Sequence, residues 1–131
     1  DEKGNIYIIR SKYGEFKNND NNVIFMTKVT AILQFSDGTS INLVSANAKY
    51  NIADNDTNFF NNVNLNYLNH NVVADNIDIF FKDSKLEAYN NLVYRNSDVN
   101  LMADKMELDL LTKNSKIFML DNSKVKIIKE Q

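Results

Sequence analysis

The sequence has no cysteine, no proline and no tryptophan, and it carries one histidine and three glycines. Without cysteine there is neither a disulfide framework nor a thiolate metal site, and oxidising and reducing compartments both stay open. One histidine, His70, leaves no imidazole cluster for a metal. With proline missing, turns fall to Asn, Asp and Ser, as in "KNNDNN" (17–22) and "NNVNLNYLNHN" (61–71). Their short polar side chains satisfy local backbone groups and tolerate left-handed conformations. No glycine-rich cradle for phosphate is present. A surplus of positive charge is lacking too: 15 basic against 17 acidic residues give a net charge of −2. Such a chain has little with which to neutralise a phosphate backbone, which excludes nucleic acid as a partner. No apolar run approaches the roughly 18–20 residues that span a bilayer. The chain opens "DEKGN", without methionine. We therefore expect a mature or trimmed fragment from which a leader or anchor has been removed.

What is present suits one folded domain over 1–131: 44% of residues are hydrophobic and 24% charged. The chain repeats itself. "SKYGEF" (11–16), "SANAKY" (45–50), "ADNIDI" (74–79) and "ADKMEL" (103–108) each begin on a small residue. Ser45 follows Ser11 by 34 positions, Ala74 follows Ser45 by 29, and Ala103 follows Ala74 by 29. A period of that size marks a repeat architecture. Within it apolar residues alternate, as in Val29-Ala31-Leu33-Phe35, Val63-Leu65-Tyr67, Ile77-Ile79-Phe81 and Met106-Leu108-Leu110. That is the period of two of a half-buried strand. Turn signals between these runs predict nine strands, near 6–10, 23–35, 40–50, 59–67, 72–81, 86–94, 99–110, 116–120 and 124–129.

The alternation changes phase at a repeated place. Val72 and Ala74 share one parity, Ile77 and Ile79 the other. One extra residue near Asp75-Asn76 would flip the phase and bend the strand out of one sheet into another. The equivalent places are Lys12-Tyr13, Asn47 and Asp104-Lys105. Phe25, Phe59 and Ala88 likewise precede Val29, Val63 and Leu92 by four positions. Bent strands stacked in this way predict an all-β, open jelly roll, or slit barrel, of two antiparallel sheets around an apolar interior. Its end strands, near 6–16 and 116–129, are unpaired edges that invite another strand. Ile6 and Ile8 mark one edge, Val125 and Ile127 the other.

Little in the chain suggests catalysis. His70 reads as a turn residue in "NHN", and no nucleophile elbow accompanies it. "DNDTN" (54–58) imitates the opening of a calcium loop, but Phe59 and Leu65 stand where a glycine and a bidentate Glu are needed. Asp75, Asp78, Asp104, Glu107 and Asp109 follow the repeat, which argues for structural or solvated carboxylates over a glycosidase pair. We expect no enzyme, no metal and no cofactor.

The segments "GNIYIIRSKYGEF", "VTAIL" with "INLVSANAKYN", "FFNNVNLNYL" with "NVVADNIDIFF", and "NNLVY" with "NLMADKMELDLLTKNSKIFM" resemble the periplasmic lipopolysaccharide-transport jelly rolls, the LptC/LptA/OstA-like family. Asn114 to Met119 and the expected lost anchor favour the LptC-like branch. Where family turns read Gly-Asn-Val, this chain has Asn61-Asn62-Val63 and Asn90-Asn91-Leu92. The resemblance implies a non-catalytic periplasmic domain held to the inner membrane by an N-terminal helix. Such a domain takes lipopolysaccharide from an inner-membrane ABC transporter and docks edge to edge with other jelly rolls, copies of itself included. The alternation supplies the candidate lining of the lipid groove: Val29, Ala31, Leu33, Val63, Leu65, Tyr67, Ile77, Ile79, Leu92, Tyr94, Met106 and Leu108. The same positions would serve an ordinary filled core. A scaffold without cargo and a carbohydrate-binding sandwich are the other readings, the second weakened by the lack of tryptophan.

Overall fold

The computed structural model describes residues 4–17, 21–119 and 126–129. Nine strands follow in chain order: β1 (Ile6–Phe16), β2 (Val23–Gln34), β3 (Ser40–Asn51), β4 (Thr57–Tyr67), β5 (His70–Phe80), β6 (Lys85–Arg95), β7 (Val99–Asp109), β8 (Ser115–Phe118) and β9 (Lys126–Lys129). There is no helix among the described residues. Asn and Asp side chains close the hairpins, as the shortage of Gly and Pro requires. Asp37 Oδ1 accepts from the Thr39 N–H at 2.9 Å, Asn96 Oδ1 from Asp98 N–H at 2.9 Å, and Asp109 Oδ1 from Leu111 N–H at 2.8 Å. In the "DNDTN" turn, Asp54 accepts from Asp56 N–H at 2.9 Å and Asp56 from Phe81 N–H at 3.0 Å.

The strands pair with their sequence neighbours, antiparallel throughout, in the order β1 to β8, and β9 pairs β7. The two expected sheets are therefore two arms of one hydrogen-bonded sheet. A strand with a bend in its middle keeps pairing on both sides of the bend, so nothing forces the ladder to break. One arm, here arm A, contains Val29–Gln34 of β2, Val63–Tyr67 of β4 and their partners. Arm B contains Val23–Thr27, Thr57–Phe60 and theirs. β8 extends arm B by pairing Lys105–Leu108, and β9 extends arm A by pairing Val99–Met102. Both run antiparallel to β7, so together they form an eighth bent strand interrupted between its arms.

The phase of burial flips where the sequence requires. Val72 and Ala74 are buried, Asp75 and Asn76 are not, and Ile77 and Ile79 are buried again. The extra residue, however, stands on the facing strand. Between Phe60 and Val63 lie two residues, and between their partners Asn76 and Ala74 lies one. Asn61 and Asn62 make this bulge with φ of 64° and 57°, Asn90 and Asn91 repeat it in β6 at 67° and 52°, and Lys28 occupies the left-handed region in β2. Asn visits that region at less cost than other side chains. β1 pairs β2 without any register shift, so Lys12-Tyr13 carries no bulge. β1 is also longer than its predicted core of 6–10, because Gly14 continues the ladder opposite Met26.

The small residue of each repeat now has a cause. Ser11 and Ser45 are both paired with Val29, Ala74 with Val63, and Ala103 with Leu92, all immediately beside the fold line. Odd strands thus supply a small side chain and even strands a large one, which lets two arms close on each other without a void. Ser45 is buried, and its hydroxyl donates to Asn47 O at 2.8 Å across the bend.

Candidate functional site

Folding the sheet along its bends turns one face of each arm inward. On arm A a cross-strand row runs Ile9, Ala31, Leu43, Leu65, Val72, Tyr94, Leu101. On arm B the matching row is Met26, Ala48, Phe59, Ile77, Ala88, Met106, Ile117. Ten of the twelve predicted lining residues are buried in one hydrophobic cluster: Val29, Ala31, Leu33, Val63, Leu65, Ile77, Ile79, Leu92, Met106 and Leu108. Tyr67 and Tyr94 are partly buried against it. Sequence reasoning left Ile41, Leu43, Phe59, Val72 and Leu86 off the lining, although the same alternation runs through Ile41-Leu43 and Leu86-Ala88 and would have found them.

A concavity of about 510 Å³ at the β1 end of arm B is lined mostly from the outward face, by Tyr13, Glu15, Phe25, Thr27, Asn47 and Phe60. On the inward row Phe16, opposite Ile24, is 55% exposed. A concavity of about 300 Å³ lies between Asn5, Tyr7, Leu33, Tyr50, Asn55 and Phe81. It sits where the two arms meet at their free ends. Tyr7 of arm A packs its ring, tilted by 43°, against Phe81, which follows β5 on arm B, with centroids 4.8 Å apart, and its hydroxyl shares a hydrogen bond with Thr57 Oγ1 at 3.1 Å. Burial pushes the Tyr7 phenol well above its usual range, so it stays protonated. At the far rim Tyr67 stacks on His70, which also contacts the Tyr94 hydroxyl through Nδ1. His70 opens β5 and belongs to no turn.

The outward face is polar and aromatic. Asn58 Nδ2 donates to Asp78 at 2.5 Å and Tyr89 Oη donates to it at 3.0 Å. Burial raises the Asp78 carboxyl despite those bonds, and burial beside that carboxylate pushes Tyr89 up to about 12. Glu87 lies between Lys85 and Lys105 at 3.2 and 3.3 Å; burial pulls it upward, but the two lysines win and lower it. Asp75 accepts from Asn91 Nδ2 at 2.7 Å, and Glu107 pairs with Lys105 at 3.4 Å. Asp75 and Asp78 thus tie strand to strand, while Glu107 pairs within β7 and Asp109 closes the turn after it. Among the described residues no group of His, Asp and Glu is arranged to hold a metal ion, and no helix is long and apolar enough to cross a membrane.

Among the described residues both ends of the sheet are open edges: β1 pairs only β2, and on it Ile6 is 52% and Ile8 38% exposed. At the other end Ile127 pairs Leu101 through its backbone, and Val125 lies outside the described residues.

Residues 1–126 match the family model described as lipopolysaccharide-assembly, LptC-related. Among solved structures, the crystal structure of LptH, the LptA-homologous periplasmic component of the lipopolysaccharide transport device of Pseudomonas aeruginosa, superposes with a TM-score of 0.72. The match covers 99% of both chains at 7% identity, which speaks for a shared fold. No curated protein matches in sequence. A bent sheet closed around an apolar face, together with a family model matched along nearly its whole length, makes this chain a member of the LptC-related lipopolysaccharide-assembly family.

Proposed function

We propose that the domain is a non-catalytic periplasmic carrier. It receives the acyl chains of lipopolysaccharide on its inward face and passes them to another jelly roll docked at an edge strand. The observation that carries this reading is the inward face itself, apolar across every strand from β2 to β7, with a concavity beside Tyr7 and Leu33 where the free ends of the arms meet. Sequestering a methylene is worth about 0.8 kcal/mol, so one twelve-carbon chain gains on the order of 10 kcal/mol. Release into water from such a face is too costly, whereas transfer to an equivalent face next to it is nearly isoenergetic. Edges at both ends of the sheet suit that arrangement, because strand addition aligns one inward face with the next. The energy for directed movement then comes from an inner-membrane ABC transporter, and a helix preceding this chain anchors the domain beside it.

The test is a titration of the purified domain with fluorescent lipopolysaccharide. Saturable binding displaced by unlabelled lipopolysaccharide, and untouched by its de-acylated core oligosaccharide, supports the carrier. Displacement by the oligosaccharide alone supports the carbohydrate-binding reading, and absence of binding defeats both.

A further inference from the structure

The lining residues form a closed cluster in this structure, so a cargo lying along them has to part the arms. The free ends of the arms touch at two described places. One is Tyr7 of β1, its ring packed at a tilt against Phe81 and its hydroxyl bonded to Thr57. The other is Phe35, after β2, whose ring lies 3.7 Å from Lys113 Nζ in the β7–β8 turn. Lys113 is tethered there by donating to Leu110 O at 2.9 Å, and its charge also reaches Asp37. The two contacts differ in kind. Lys113 is half-buried in its turn and sets its ammonium over Phe35, itself a buried residue of the core. Tyr7 plugs an apolar seam with its ring and uses its one hydroxyl against Thr57, which is almost fully buried. Beside it lies the 300 Å³ concavity bounded by Leu33, Tyr50 and Phe81, a volume at the small end of ligand pockets.

We propose that Tyr7 is the latch of a lateral seam: its contacts with Thr57 and Phe81 hold the arms shut, and their release admits an acyl chain sideways through the adjoining concavity. The proposal rests on the carrier reading and adds to it the route and the residue that controls it. A closed state held by the latch lowers apparent affinity by the fraction of molecules that are open. Weakening the latch therefore tightens binding, whereas a tyrosine that merely supports the fold gives the opposite.

The experiment uses fluorescent lipopolysaccharide and three proteins. Tyr7→Phe removes one hydrogen bond of ordinary net strength, about 1 kcal/mol, and is expected to raise apparent affinity and loading rate about fivefold. Tyr7→Cys/Phe81→Cys joined by a short bis-maleimide is expected to lose loading, while the unjoined double variant loads at least as well as wild type. Asn42→Cys/Asn66→Cys, register partners on the exposed outward face, joined in the same way, is expected to load normally. Undiminished loading of the joined Tyr7/Phe81 protein, or weaker binding by Tyr7→Phe, overturns the latch and leaves the carrier intact. Failure of wild type to bind overturns the carrier and the latch with it.

Discussion

The bend of β4 is the feature on which the closed shape most depends, and it can be tested by changing two side chains that touch nothing in the core. Asn61 and Asn62 are exposed and both occupy the left-handed region. A side chain other than Gly, Asn or Asp pays about 1–2 kcal/mol per residue there, and a β-branched one is worse placed still. The double variant Asn61→Val/Asn62→Val should therefore lose about 2–4 kcal/mol. The exposed hydrogen bond from Asn61 Nδ2 to Asn47 Oδ1 at 2.9 Å adds little to that. Asn61→Gly/Asn62→Gly loses the same side chains but keeps the backbone free to adopt these angles, at an entropic cost of roughly 0.5–1 kcal/mol per residue. Equilibrium urea unfolding separates the two. With a slope of about 2 kcal/mol per molar, mid-range for a small protein, the valine pair should shift the midpoint by about 1–2 M and the glycine pair by about half as much. Equal midpoints for the two variants would mean that the bend is not set by these dihedrals, and the reasoning fails.

Asp78 gives a pH test. Its folded-state value is raised above the ordinary 3.8, so the fold prefers the protonated acid. That contribution is complete below the unfolded value and is lost as pH climbs through the raised folded one. Asp78→Asn keeps both neighbours, accepting from Asn58 and donating to the Tyr89 oxygen. It should be at least as stable as wild type at pH 7 and show no such loss in thermal melts between pH 3.5 and 7; a variant less stable at pH 7 and unchanged in profile contradicts this. For edge docking, proline is the probe. N–H groups of successive residues on an edge strand point alternately toward the neighbour and away from it. Of Ile8→Pro and Ile9→Pro, one should leave the fold intact and abolish pull-down of a second jelly-roll domain, and proline at Ile127 should weaken docking at the opposite edge. Two folded proline variants at β1 with undiminished docking count against that edge.

The parts of this fold legible in the sequence were those written into single strands. Alternation in Ile77-Ile79 or Leu65-Tyr67 names the inward face directly, since each side chain of a strand points opposite to its neighbour. The 29-residue spacing of Ala74 and Ala103 marks the fold line, because only a small residue fits opposite Val63 or Leu92 there. What failed to show was relational. The switch of parity at Asp75 and Asn76 reveals that a bulge exists. Which strand bears it is decided by pairing, and Asn61-Asn62 reads equally well as a hairpin turn. The same holds for β8 and β9, which share the flank of β7, and for Tyr7 reaching Phe81, a contact made by the twist and closure of the whole sheet. His70 was misplaced because "NHN" carries turn residues on both sides, while stacking on Tyr67 draws the ring into the strand.

The central claim is that acyl chains lie against the inward face. It is tested most directly by photocrosslinking with benzoylphenylalanine in place of Tyr67, Tyr94 and Met106, which point inward, and of Asn64, Tyr89 and Glu107, which point outward. Incubated with lipopolysaccharide and irradiated, the inward set should yield lipid A adducts and the outward set none. Adducts from the outward set alone, or from neither set while binding persists, would contradict the account.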